Sequence, residues 1–244
     1  MLASVARLAF LAFVLTNAAN SRALADDLAD FNAAAEQVES HNRVAIGYLR
    51  TGNIDLASIE VDRVREAWAK LNDRSTGKRP SVFNGNVYYV VAMTDIATRL
   101  ITADLMMNSG HPDVTRDALL AVREDFYKLR KSAGISVLSD CIYDANLQLR
   151  YLVSFDDTLT DFGDAAAVED LSGAATASAK ALDRCDAIAD EKVRNEPEFR
   201  RLIDGAQASL KNISQSITDH DTDLLHRVLI ELRSFENLLA FRFG

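Results

Sequence analysis

Apolar positions recur along this chain at helical spacing. Val61, Val64, Trp68 and Leu71 step by 3, 4 and 3 residues, and so do Leu119, Val122, Phe126 and Leu129. Each set lies on one face of a helix. Near the C-terminus Leu225, Val228, Leu229, Leu232, Phe235, Leu238 and Leu239 form a broader stripe of the same kind. Reading the whole chain this way predicts helices over 28–50, 54–72, 86–108, 113–132, 137–155, 165–190, 196–217 and 222–241. The breaks between them carry the expected punctuation. Gly52, Gly77, Gly110, Gly134 and Gly163 are read as helix ends, and Pro80, Pro112 and Pro197 as linkers or first turns, with Asn195 as the cap before Pro197.

Two segments repeat. Residues 64–71 read VREAWAKL and residues 122–129 read VREDFYKL, an offset of 58. The same offset carries Gly52 to Gly110 and Asp55 to Asp113. Glu66 and Lys70, and their counterparts Glu124 and Lys128, stand at i,i+4 in the favourable order. Each unit therefore reads as helix, tight glycine turn, second amphipathic helix. Two further hairpins follow, one around Cys141 and Cys185 and one at the C-terminus. The expected fold is all-α, with about eight helices in four antiparallel helical hairpins, arranged as bundles or as a short irregular α-solenoid.

Composition agrees. The chain has 244 residues with only 10 Gly and 3 Pro, too few turn formers for a β-sandwich or barrel. Apolar residues are 48% and charged residues 26%, so a core can form and disorder is excluded.

The first unit resembles a tetratricopeptide hairpin. Within residues 45–71, Tyr48, Gly52 and Ala57 stand at that repeat's aromatic, turn-glycine and small-residue positions. The second unit has Met106 and Thr115 at the aromatic and small positions, and its 58-residue offset differs from the family's period of about 34. The resemblance implies a scaffold that binds a protein or peptide.

Residues 1–25 have the form of a signal peptide. Arg7 supplies the positive region, Leu8–Leu15 the apolar region, and Ala23-Leu24-Ala25 the small-x-small cleavage site. The apolar run is shorter than the roughly 20 residues of a membrane span. Cleavage leaves 26–244 as one all-helical domain and takes the net charge from −9 to −11, because Arg7 and Arg22 are lost. The expected location is across the inner membrane, in the periplasm. Such an acidic chain is a poor match for nucleic acid or an anionic membrane surface. It is not expected to be an integral membrane protein, and its oligomeric state stays open. An exported chain with two cysteines predicts a disulfide between Cys141 and Cys185.

Reaction motifs are missing. There is no P-loop, G-x-G-x-x-G, G-x-S-x-G, H-E-x-x-H or C-x-x-C-H. His41, His111, His220 and His226 share no metal-ligand spacing. Asp219–Asp223 begins like a calcium loop, but Leu224 and Ile230 replace its required Gly and Glu. Asp221 or Thr222 is read instead as a helix cap. No catalytic, metal or cofactor residue is assigned, and no cofactor is expected. The leading reading is a non-enzymatic scaffold for a protein or peptide. One alternative is a haem or metal carrier, with Met93, Met106 or Met107 facing His226. Another is an enzyme with an unrecognised site. The third helix is apolar nearly all round and is expected to be central. Its Asp95 and Arg99 would pair with each other if buried, or would line a groove beside Tyr88.

Overall fold

A computed structural model describes residues 27–77, 79–157 and 162–244; the segment 1–25, read from sequence as a signal peptide, lies outside them. The described residues form nine helices and no strand. These are α1 (27–50), α2 (Ile54–Gly77), α3 (Val87–Asn108), α4 (Pro112–Ser132), α5 (Leu138–Val153), α6 (Ala165–Ile188), the single turn α7 (Glu191–Arg194), α8 (Pro197–Asp219) and α9 (Thr222–Phe243). The fold is all-α and its long helices pair as four antiparallel hairpins. The described residues fall into two compact units, one ending at Ile135 and the other running from Ser136 to Gly244, each with its own core.

The 58-residue repeat is present in the backbone. At the end of α1 the Asn53 N–H donates to the Tyr48 carbonyl at 2.9 Å, and the Gly52 N–H to Leu49 at 3.2 Å. At the end of α3 the His111 N–H donates to Met106 at 2.9 Å, and the Gly110 N–H to Met107 at 3.1 Å. These are one double-bonded helix cap, used twice, and it needs a left-handed residue. Gly52 (φ 75°) and Gly110 (φ 77°) supply it. The same cap closes α4 at Gly134 and α8 at His220, where φ is 53°. The helix starts are equally local. Asn86, Asp164, Asp190 and Asp221 each accept a backbone N–H of the first turn. Pro197 forces its predecessor to be extended. Glu196, not Asn195, is therefore the cap of α8, and Asn195 ends α7. Gly77 is the last residue of α2, which runs past the predicted end at 72.

The repeated apolar stripes make the first core. Leu119, Val122, Phe126 and Leu129 are fully buried, and Trp68 meets Phe126 edge-on with ring centroids 6.3 Å apart. The two repeats thus pack through equivalent positions. α1 closes the bundle against α4. The Asn42 amide donates to the Leu119 carbonyl at 2.9 Å, and Arg130 makes two 2.7 Å bonds to Glu39. Both charged side chains are almost fully buried (2% and 4% exposed), so each depends on the other.

The second unit is a closed bundle in which α5 packs on α6, α6 on α8, α8 on α9 and α9 back on α5. Cys141 of α5 and Cys185 of α6 form the disulfide, with Cα atoms 5.4 Å apart. Gly205 on α8 leaves room for the Phe235 ring of α9, which would lie 2.6 Å from a Cβ there.

Three stability changes follow. Gly110→Ala meets nothing within 4 Å, so its cost of about 1 kcal/mol is conformational. Glu39→Gln removes one charge of a buried pair and costs about 3 kcal/mol. Replacing both cysteines by serine opens the loop that the disulfide closes in the unfolded chain, across a sequence separation of 44, and costs roughly 4 kcal/mol in the chain-entropy model. Urea titration of each variant reads these differences directly.

Candidate functional site

The residues singled out on the third helix are not in its core. α3 buries Tyr89, Ala92, Ile96, Leu100, Ala103 and Met107. Its other face is open, with Val87 81%, Ile101 69% and Leu105 57% exposed. The expectation of a central helix is therefore corrected. α3 is apolar on two faces, and only one of them is covered by its own unit.

Tyr88 is exposed, and Asp95 and Arg99 are half-buried. Arg99 does not take Asp95 as its hydrogen-bond partner. Its Nε donates across the hairpin to Asp125 of α4 at 2.5 Å. Asp125 is the more buried carboxylate, with 8% of its side chain exposed, and so gains most from a charged donor. Burial pushes the Asp125 carboxyl above its ordinary value, and the Arg99 hydrogen bond pulls the other way. That same bond raises the Arg99 value further above the usual guanidinium range. The first hairpin has a comparable pair: His41, the repeat counterpart of Arg99, hydrogen-bonds through Nδ1 to Glu60 of α2 at 2.8 Å. Both contacts tie the two helices of a hairpin together.

A groove runs along the outside of α1 and α2. One part, about 480 Å³, is lined by Asp27, Asp30, Phe31, Ala34, Leu71, Arg74 and Pro80. A second part, about 350 Å³, is lined by Ala34, Gln37, His41, Arg63, Glu66, Ala67, Lys70 and Arg74. Ala34 and Arg74 line both, so the two parts adjoin. The residues sit there because α1 turns Asp27, Asp30, Ala34, Gln37 and His41 to one side, and α2 does the same with Arg63, Lys70 and Arg74. Arg63 donates to Glu60 at 2.6 Å. Among the described residues Lys70 and Arg74 have no carboxylate partner. The expected Glu66–Lys70 pair is thus not made, whereas Glu124 and Lys128 meet at 2.7 Å. Tyr88, Asp95 and Arg99 line neither part of this groove.

The second unit has an open hollow of about 790 Å³ between α6 and α8, lined by Gly173, Ala177, Ile217, Glu169 and Lys180 among others. His226 of α9 is exposed and hydrogen-bonds through Nδ1 to Asp156 at 2.6 Å. Met93, Met106 and Met107 belong to α3 of the first unit. Asp221 caps α9 by accepting the Leu224 N–H at 2.8 Å. Among the described residues no three His, Cys, Asp or Glu side chains gather as a metal-binding group. No described helix is long and apolar enough to cross a membrane.

No protein-family model, no curated protein and no solved structure matches this chain. The groove residues escaped sequence reading because a cationic stripe on α2 looks like any solvated helix face. The signal lay in its register: Arg63, Lys70 and Arg74 are 7 and 4 apart, on the side facing the α1 polar row.

Arg99→Ala tests the role of the cross-hairpin pair. It leaves the Asp125 carboxylate without its donor and costs about 1–2 kcal/mol at neutral pH. Because the folded Asp125 value lies above the unfolded one, its ionisation favours the unfolded chain as pH rises past about 4. Loss of Arg99 widens that gap. The stability difference between wild type and Arg99→Ala therefore shrinks on going from pH 7 to pH 4 in urea titrations. A difference independent of pH would assign the cost to packing instead.

Proposed function

We propose that this chain is an exported, non-enzymatic helical scaffold that binds an acidic peptide segment of a protein partner in the α1/α2 groove. The observation that carries this reading is a pair of cations, Lys70 and Arg74, that have no carboxylate partner among the described residues and line the groove. Both side chains line the groove itself, where a ligand carboxylate would reach them. From Asp27 to His41 the groove follows 14 residues of α1, about 21 Å at helical rise. That length suits a peptide of six or seven extended residues better than a small metabolite. Lys70 and Arg74 would meet its carboxylates, and Asp30 would favour a basic residue or amino group at one end. The tetratricopeptide-like residues Tyr48, Gly52 and Ala57 lie in this same hairpin and are consistent with the reading. Export is supported by the form of residues 1–25 and by a disulfide, which persists in oxidising compartments.

The test is a charge reversal. A photo-crosslinker placed at Gln37 should label one partner in the exported fraction. Peptides from that partner should bind wild type, and Lys70→Glu with Arg74→Glu should weaken them at least about tenfold, near 1.4 kcal/mol. Both side chains are exposed, so circular dichroism should show the fold unchanged. Unaltered affinity in the double variant would reject the groove. N-terminal sequencing of the exported protein should begin at Asp26; retention of residues 1–25 would reject cleavage.

A further inference from the structure

The outer face of α3 has a regular design. Val87, Val91, Thr94, Thr98, Ile101 and Leu105 follow one another at 4, 3, 4, 3 and 4 residues, and all six are exposed. This is the spacing at which two helices stay in contact along their length. No charged side chain falls on this line. The two threonines are prepared for burial: Thr94 donates its hydroxyl to the Val90 carbonyl and Thr98 to the Thr94 carbonyl, each at 2.9 Å. What they offer outward is a methyl group. Exposed apolar surface that is continuous, uncharged and in register marks an interaction face.

The order of residues along the line identifies the occupant. Read from either end it runs apolar, apolar, threonine, threonine, apolar, apolar. A two-fold axis across the middle of α3 would bring Val87 against Leu105 of a second copy, Val91 against Ile101, and Thr94 against Thr98. Every layer then matches in polarity, and each contact occurs twice, as an isologous interface requires. We propose that this face pairs antiparallel with the same face of a second copy of this chain. The line spans 18 residue steps, about 27 Å. One helix face of that length falls at the small end of specific interfaces, so the dimer is reversible and depends on concentration. The proposal concerns a face on α3 and is independent of the peptide groove between α1 and α2.

Sedimentation velocity on the mature chain from micromolar to millimolar concentration should show monomer giving way to dimer. Ile101→Glu should raise the dissociation constant at least tenfold. Ile230→Glu, at an exposed apolar site on α9, should leave it unchanged. At concentrations where wild type is monomeric, circular dichroism and the melting temperature of Ile101→Glu should match it, because the position is exposed in the single chain. The axis has its own readout. An oxidised mixture of Thr94→Cys and Thr98→Cys chains should give more cross-linked dimer than either variant alone. Monomer at every concentration, a dimer indifferent to Ile101→Glu, or preferential cross-linking of Thr94→Cys to itself would overturn the proposal.

Discussion

The architecture rests on one backbone constraint. An amphipathic helix of about 20 residues cannot bury its apolar stripe alone, so it must fold back on a neighbour. Reversing within two or three residues requires a left-handed residue after the last turn, to aim two N–H groups at the orphaned carbonyls. Three of the four hairpins reverse this way, and the same pair of hydrogen bonds also ends α4 at Gly134, which makes four such caps. Three use glycine. The fourth places His220 at φ 53° and rests its ring edge-on against Phe162, with centroids 5.8 Å apart. A non-glycine residue in this region costs on the order of 1 kcal/mol, and the ring contact offsets part of it.

With hairpins formed, the two units close by different chemistry. The first joins α1 to α4 with a buried, doubly hydrogen-bonded ion pair, Glu39–Arg130, and with the Asn42 amide. Such a pair adds little net stability against an apolar equivalent, but separating its members is costly. It therefore selects one register between helices far apart in sequence. The second unit joins α5 to α6 with a disulfide and lets aromatic packing, such as Phe199 on Phe243, fill the rest. The cross-hairpin contacts of His41 and Arg99 sit at equivalent repeat positions yet reach carboxylates at non-equivalent ones. The repeat preserves the backbone and the apolar stripe, while the polar partners differ between its two copies.

The surfaces available for binding follow from the same arrangement. Closing a bundle uses one face of each helix. The cations of α2 and the second apolar face of α3 are what that closure leaves outside. Each has a register as regular as the core stripes, which is why they stand out from ordinary exposed side chains. Tyr88, Asp95 and Arg99 drew notice as polar or aromatic residues in an apolar helix. Arg99 proved to be occupied by Asp125, a residue 26 positions away that nothing in the α3 sequence indicates.

Helix positions, the hairpin turns, the repeat and the disulfide were all legible in the sequence. They depend on residues within one or two turns of each other, or on a pair of cysteines with no competing partner. Residues 54–72 and 222–241 were read short because helix ends are held by packing as much as by caps. Only the tertiary structure decided which side of α3 is covered, because a helix apolar on both faces has a pattern that either face could satisfy. It also decided that Glu39 meets Arg130 and that Arg99 meets Asp125. Those pairings need two helices to be brought together first, and charge alone does not say which of many carboxylates will be nearest. The sequence thus determined the elements and their reversals through local sterics and hydrogen bonding. The division into two cores, the polar pairings and the exposed faces came from packing, which acts across distances that periodicity does not record.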